Sequence, residues 1–164
     1  MTKTILQGTG TICKGNLNNY FEQVPAELFD YIQLGLITHT DMVIYIKLLQ
    51  LYNPNYGYAF PTIDQLRSYT RTGSKATIHS SIRRLCEVGL IKKGKTSGGN
   101  NIYVVYKPLD TVDLYNAVPD KVEQFEEFES RLTKVSTDDK ERYKQHLIDK
   151  EILAQKQMQI YVVE

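Results

Sequence analysis

The sequence has no tryptophan and only two cysteines, Cys13 and Cys86. Neither stands in a Cys-x-x-Cys pair, which excludes a zinc ribbon or a thioredoxin-like redox centre. Adding His39, His79 and His146 still gives no cluster at metal-ligand spacing, so neither metal nor cofactor is expected. A disulfide could only join Cys13 to Cys86, and a chain that otherwise reads as cytoplasmic is not expected to hold one. Long apolar runs are also missing. No window approaches the roughly 18 apolar residues of a membrane span. Met1–Gly8 lacks the apolar stretch of a signal peptide. A cytoplasmic location and no membrane partner are expected. Hydrophobic residues make up 41% and charged residues 24%, which excludes wholesale disorder and fibrous classes. At 164 residues the chain is long enough for one core without staples.

Enzyme signatures are scarce. There is no H-E-x-x-H and no G-x-S-x-G. Gly89-Leu90-Ile91-Lys92-Lys93-Gly94-Lys95-Thr96 does fit the pattern G-x-x-x-x-G-K-[ST]. A phosphate-binding loop needs a strand before that first glycine and a helix after the threonine. Here a helical pattern precedes, the middle is strand-like, and a glycine-rich loop follows. The match is therefore read as accidental, and the chain as no enzyme.

Charge is present but unevenly placed. The net charge is +1, with 20 basic and 19 acidic residues. Residues 62–107 hold 9 basic and 2 acidic residues, and residues 108–164 hold 8 basic and 13 acidic. A strongly basic middle with an acidic tail suggests a polyanion-binding module joined to an accessory segment.

Three segments follow from the pattern: an arm over 1–20, a domain over 21–108 and an acidic helical extension over 109–164. In the arm, Thr9–Cys13 reads as a short strand or a loose tail. Pro25, followed by Glu27, marks a short helix start. A helix over Asp41–Tyr52 carries Met42, Val43, Tyr45, Ile46, Leu49 and Tyr52 on a wide apolar face. Asn53–Gly57 is a turn. Thr62 caps a short helix ending near Thr70. Arg71-Thr72-Gly73-Ser74 is a tight turn in which Gly73 is free to take positive φ. Ser74 caps a helix over 75–88, and Gly89 closes it. Strands at 90–93 and 101–106 flank a glycine-rich loop. In the tail, Val122, Phe125, Phe128 and Leu132 recur at helical spacing, and a long helix covers 139–160.

Helix, short helix, turn, helix, strand, loop, strand is the order of a winged helix-turn-helix. The fold class is mostly α (α+β), with a two-stranded wing and a C-terminal helical extension. In such an order the last helix enters the major groove of double-stranded DNA while its back packs on the others. The wheel of helix 75–88 agrees. Ile78, Ile82 and Leu85 share one stripe. The opposite arc holds Ala76, Thr77, Ser80, Arg83 and Arg84, with Lys75 and His79 at its margin. Small residues permit close approach to base edges, and arginine offers a fork to guanine. Glu87 lies on the same arc and repels phosphate, so contacts concentrate in the N-terminal half. Arg67, Arg71 and Thr72 stand where backbone phosphates pass. The free N–H groups at Ser74–Thr77 add an anion site. In the wing over 92–101, Lys92, Lys93 and Lys95 lead in and Asn100 leads out. Its tip, with Thr96 and Ser97, either enters a minor groove or is simply a mobile loop. The bland alternative for Arg83 and Arg84 is that both are merely solvated.

Phe60-Pro61-Thr62-Ile63-Asp64-Gln65-Leu66, Arg71–Ile78 and Ile82-Arg83-Arg84-Leu85-Cys86-Glu87-Val88-Gly89-Leu90-Ile91 together resemble the winged helix-turn-helix domains of bacterial, plasmid and phage proteins. The resemblance covers about residues 20–106. It is shared with replication initiators and replisome organisers of the DnaD-like and RepA-type groups and with small transcriptional regulators. It implies sequence-specific binding of double-stranded DNA, in transcription regulation or in the replication or maintenance of a mobile element. A homodimer is expected, paired through the C-terminal helices or the N-terminal region. The rival expectation is a protein-interaction module whose acidic C-terminal helices dock a protein partner.

Overall fold

A computed structural model describes residues 21–135 and 137–156. The expectation for Thr9–Cys13 lies outside them. The chain divides into two compact units. One contains residues 40–108; the other contains residues 27–39 and the segment from Leu109 onward.

The first unit opens with α2 (His39–Gln50), after the short α1 (Leu28–Gln33) of the other unit. Its buried stripe is Asp41, Ile44, Tyr45 and Leu48, at spacings of three, one and three. This differs from the face read from sequence. Val43 and Tyr52 are exposed, while Ile44 and Leu48 are fully buried. The helix is apolar on most sides, so its own pattern does not fix which side turns inward. The neighbours decide.

α3 (Ile63–Thr70) and α4 (Lys75–Glu87) follow. Thr62 starts α3 with a reciprocal cap. Its hydroxyl accepts from the Gln65 N–H at 3.1 Å, and the Gln65 side chain accepts from the Thr62 N–H at 2.9 Å. Two donors that the helix start leaves orphaned are thereby satisfied. Ser74 caps α4 by accepting from the Ala76 N–H at 3.1 Å. Gly89, at φ 74°, ends α4 in the left-handed conformation that lacks a penalty only for glycine. Leu90 N–H then donates back to the Leu85 carbonyl at 3.0 Å.

β1 (Ile91–Lys95) and β2 (Asn101–Val105) pair antiparallel, with Lys93 opposite Tyr103. Ala59 forms an isolated bridge to β2, exchanging N–H···O bonds of 2.8 Å with Tyr103 in both directions. The core of this unit joins Ile44, Tyr45 and Leu48 with Leu66, Ile78, Ile82, Leu85, Leu90, Ile91 and Tyr103, all buried. Tyr45 donates its hydroxyl to the Tyr106 carbonyl at 2.8 Å. The order read from sequence is the order found. Strand β1 also runs through the middle of the G-x-x-x-x-G-K-T match and α4 precedes it, so that stretch has the wrong local fold for a phosphate loop.

Tyr103 yields a testable consequence. The residue is fully buried, and its hydroxyl has no partner in hydrogen-bond geometry. Burial, aided by the Cys86 thiol and opposed by Asn101, pushes the phenol up to about 12. An unfolded tyrosine ionises near 10. The folded chain therefore keeps its proton where the unfolded chain loses it. Stability is full below pH ~10 and falls as pH rises toward ~12. Tyr103→Phe is expected to flatten that alkaline loss. At neutral pH it should leave stability unchanged or raise it by about 1 kcal/mol, because an unsatisfied buried hydroxyl is removed. Urea midpoints across pH 8–12 check both halves.

The second unit holds α1 and the helices α5 (Thr111–Ala117), α6 (Pro119–Val135) and α7 (Thr137–Lys156). Pro25 does not begin α1; a turn at residues 26 and 27 intervenes, and Glu27 occupies the cap. Asp110 caps α5, accepting from the Asp113 N–H at 2.9 Å. Two bonds join α1 to the start of the tail. Leu109 N–H donates to the Tyr31 hydroxyl at 3.1 Å, and Thr111 donates to the Asp30 carboxylate at 2.7 Å. Helix α5 was not foreseen; the long tail helix begins at Thr137, and residues 157–160 of its expected span lie outside the described residues. Among the described residues, no helix is long and apolar enough to cross a membrane, and no group of His, Cys, Asp and Glu is placed to hold a metal.

Candidate nucleic-acid interface

Helix α4 buries Ile78, Ser81, Ile82 and Leu85. That phase turns Lys75, Ala76, Thr77, His79 and Arg83 outward as exposed residues, with Ser80 half-buried beside them. The outward arc is thus short side chains near the N-terminus and one long cation further along. Arg83 makes a loose surface pair with Glu87, at 3.8 Å. Such a pair is weak in water and leaves the guanidinium available to a phosphate or base.

Arg84 is placed differently. Its Nε donates to Asp41 Oδ2 at 2.7 Å and its Nη2 to Asp41 Oδ1 at 2.9 Å. The Asp41 hydrogen bond raises the guanidinium pKa further. The fork that the sequence offered to guanine grips a buried carboxylate on α2.

The turn between α3 and α4 is braced by Arg67. Nη1 donates to Asp64 at 3.0 Å and Nη2 to the Gly73 carbonyl at 2.7 Å. Asp64 also pairs with Lys75 at 3.1 Å. Lys75, then Arg67, hold the Asp64 carboxyl below the usual carboxylate range. One acid therefore ties the first turn of α3 to the first residue of α4. Thr72 shares a hydroxyl bond with Thr70 at 2.7 Å. Of the residues expected to meet phosphate here, Arg67 and Thr72 are half-buried and shape the turn, whereas Arg71 and Ser74 are exposed.

Positive φ falls on Arg71, at 51°, and not on Gly73. Arg71 occupies the C-cap of α3, where its N–H donates to Ser68. A non-glycine residue in that conformation is strained by about 1 kcal/mol. Arg71→Gly is expected to raise stability by about 1 kcal/mol. The same change removes an exposed cation, so DNA affinity is expected to fall. Urea unfolding and DNA titration on one preparation test the opposed signs.

In the wing, Lys92, Lys93 and Lys95 are all exposed. Strand parity puts Lys93 on the face of buried Ile91 and Tyr103, and Lys92 on the other. The tip is a defined turn. Thr96 N–H donates to the Asn100 carbonyl at 2.9 Å, Gly99 N–H to the Thr96 carbonyl at 2.9 Å, and Asn100 N–H to the Thr96 hydroxyl at 3.2 Å. Thr96 builds that turn, while Ser97 and Asn100 are exposed. Sequence reasoning missed Asp41 and Asp64. Asp64 had a readable signal, its spacing of three from Arg67; Asp41 had none.

Residues 34–91 match the family model of a helix-turn-helix domain. Helices α2–α4 followed by the β1–β2 hairpin have the winged helix-turn-helix arrangement. No curated protein matches the chain. The crystal structure of MarR is similar at 18% identity and a TM-score of 0.37, over 80% of this chain and 90% of that one. A likeness of that degree carries no weight for function. In the winged helix-turn-helix arrangement α4 is the second helix of the helix-turn-helix and β1–β2 the wing.

Proposed function

We propose that the protein binds double-stranded DNA sequence-specifically as a homodimer. It serves as a small transcriptional regulator or as a replication or maintenance factor of a mobile element. The observation that carries this is the outward arc of α4: exposed Ala76, Thr77, His79 and Arg83, on a capped helix within the basic stretch 62–107. Small side chains let the backbone approach base edges, and Arg83 supplies a donor fork. Arg71 and Ser74, with the wing residues Lys92, Lys93, Lys95, Ser97 and Asn100, meet the backbone or the flanking minor groove. Residues 21–108 form the DNA-binding part in this reading, and 109–164 the extension that pairs protomers. Two half-sites about one helical turn apart are then expected.

A second reading is supported by the tail. Phe128, Leu132, Tyr143, Leu147 and Ile148 are exposed apolar residues on α6 and α7. Such surface marks a contact with another chain, either a second copy or a protein partner.

The test is selection from random and genomic DNA fragments with the purified protein, repeated for Arg83→Ala across a salt series. A salt-dependent site that Arg83→Ala loses supports the reading, and its location separates promoter from origin. Absence of any bound fragment at low salt overturns it in favour of the protein-partner reading.

A further inference from the structure

Helix α4 is joined to α2 by a directional pair. Asp41 is fully buried. It occupies the same α2 stripe as Ile44, Tyr45 and Leu48, a place where an apolar side chain would pack without desolvating a charge. What it holds is the Arg84 guanidinium, side-on, through bonds of 2.7 and 2.9 Å. The two residues are 43 positions apart. Apolar contacts from Ile78, Ile82 and Leu85 are non-directional and permit a helix to roll slightly about its axis. A bidentate Arg–carboxylate pair is planar and directional. Arg84 leaves α4 at the flank between the buried stripe and the outward arc, where a fixed point resists rotation most effectively.

We propose that Asp41 is a positioning residue for sequence reading: by clamping Arg84 it sets the rotation of α4, and so the angle at which Ala76, Thr77, Ser80 and Arg83 meet base edges. This rests on the DNA-reading function proposed above. In this arrangement Arg84 acts through Asp41 and not as a base contact.

The experiment compares affinity for the selected site with affinity for random DNA in wild type, Asp41→Asn, Arg84→Lys and the double variant. Arg84→Lys keeps the charge and loses the fork. Each single change is expected to lower the specific-to-random ratio roughly tenfold, and the double variant no further than either single. Loss of folded protein scales both affinities alike and cancels in the ratio, so a pair that only stabilises leaves the ratio unmoved. An unmoved ratio in both singles overturns the proposal. Additive losses also overturn it, because they make Arg84 a DNA contact in its own right. Residual dipolar couplings of α4 amides relative to α2 give a reading without DNA. They are expected to report a rotated α4 in Arg84→Lys, and an unchanged orientation overturns the proposal. Failure of the wild type to prefer any site would sink the sequence-reading function instead, and the dipolar couplings then decide alone whether the pair sets the rotation.

Discussion

Leu85→Ala is expected to lower the stability of the first unit by about 3 kcal/mol, within the ~2–5 kcal/mol range for a leucine truncated in a closed core. Leu85 is fully buried. It sits in the last turn of α4, and its carbonyl also accepts from Leu90 where the chain turns into the wing. The loss has two parts, the transfer of the removed methyl groups and the cavity they leave. The cavity should persist, because the flanking Ile82 and Leu90 are anchored on a helix and beside a strand and cannot both move in. Urea unfolding checks this as a fall in midpoint at constant slope. A loss under ~1 kcal/mol would mean that the site collapses freely, contrary to the packing described.

The second large effect concerns the wing. Lys92→Ala, Lys93→Ala and Lys95→Ala combined should weaken DNA binding roughly 10²–10³-fold at 0.1 M salt, nearly equally for specific and random DNA. Each lysine that neutralises a phosphate contributes about 0.9 to the slope of log K against log salt, worth about a factor of ten at that concentration. All three are exposed, and their removal leaves no buried group unsatisfied, so stability should change by no more than about 0.5 kcal/mol. The measurement is the slope itself. A fall of two to three is expected if each lysine meets one phosphate. An unchanged slope would place the wing away from the DNA backbone.

What the sequence disclosed and what it concealed divide by range. The caps at Thr62 and Ser74, the stripe Ile78–Ile82–Leu85, the stop at Gly89 and the hairpin after it are local patterns, and each is legible from a few neighbouring residues. The element order of the first unit followed from them. The phase of α2 was not legible, because an apolar residue on nearly every side leaves the choice to its neighbours. Asp41 could not be read as a core residue, since the partner that makes its burial tolerable lies 43 positions away. Arg71 took the left-handed position expected of Gly73 because α3 ends at Thr70, which places its C-cap at Arg71. Helix α5 is short and buries only Leu114, so its periodicity is too brief to register. For the candidate interface, exposure on α4 was legible from the wheel and the Asp64–Arg67 pair from its spacing, but the occupation of Arg84 by Asp41 was not.

The rung between Ala59 and Tyr103 makes the wing a cantilever. It is clamped at mid-length, where Tyr103 is bonded to Ala59 through both its N–H and its carbonyl, and closed at the far end by the Thr96–Asn100 turn. Bending is therefore expected mainly between the clamp and the tip. Under the proposed DNA-binding function, a wide or a narrow flanking groove is met by flexing that outer part of the wing. Amide exchange along β2 should accordingly be slowest at Tyr103 and quicken with every residue toward the tip.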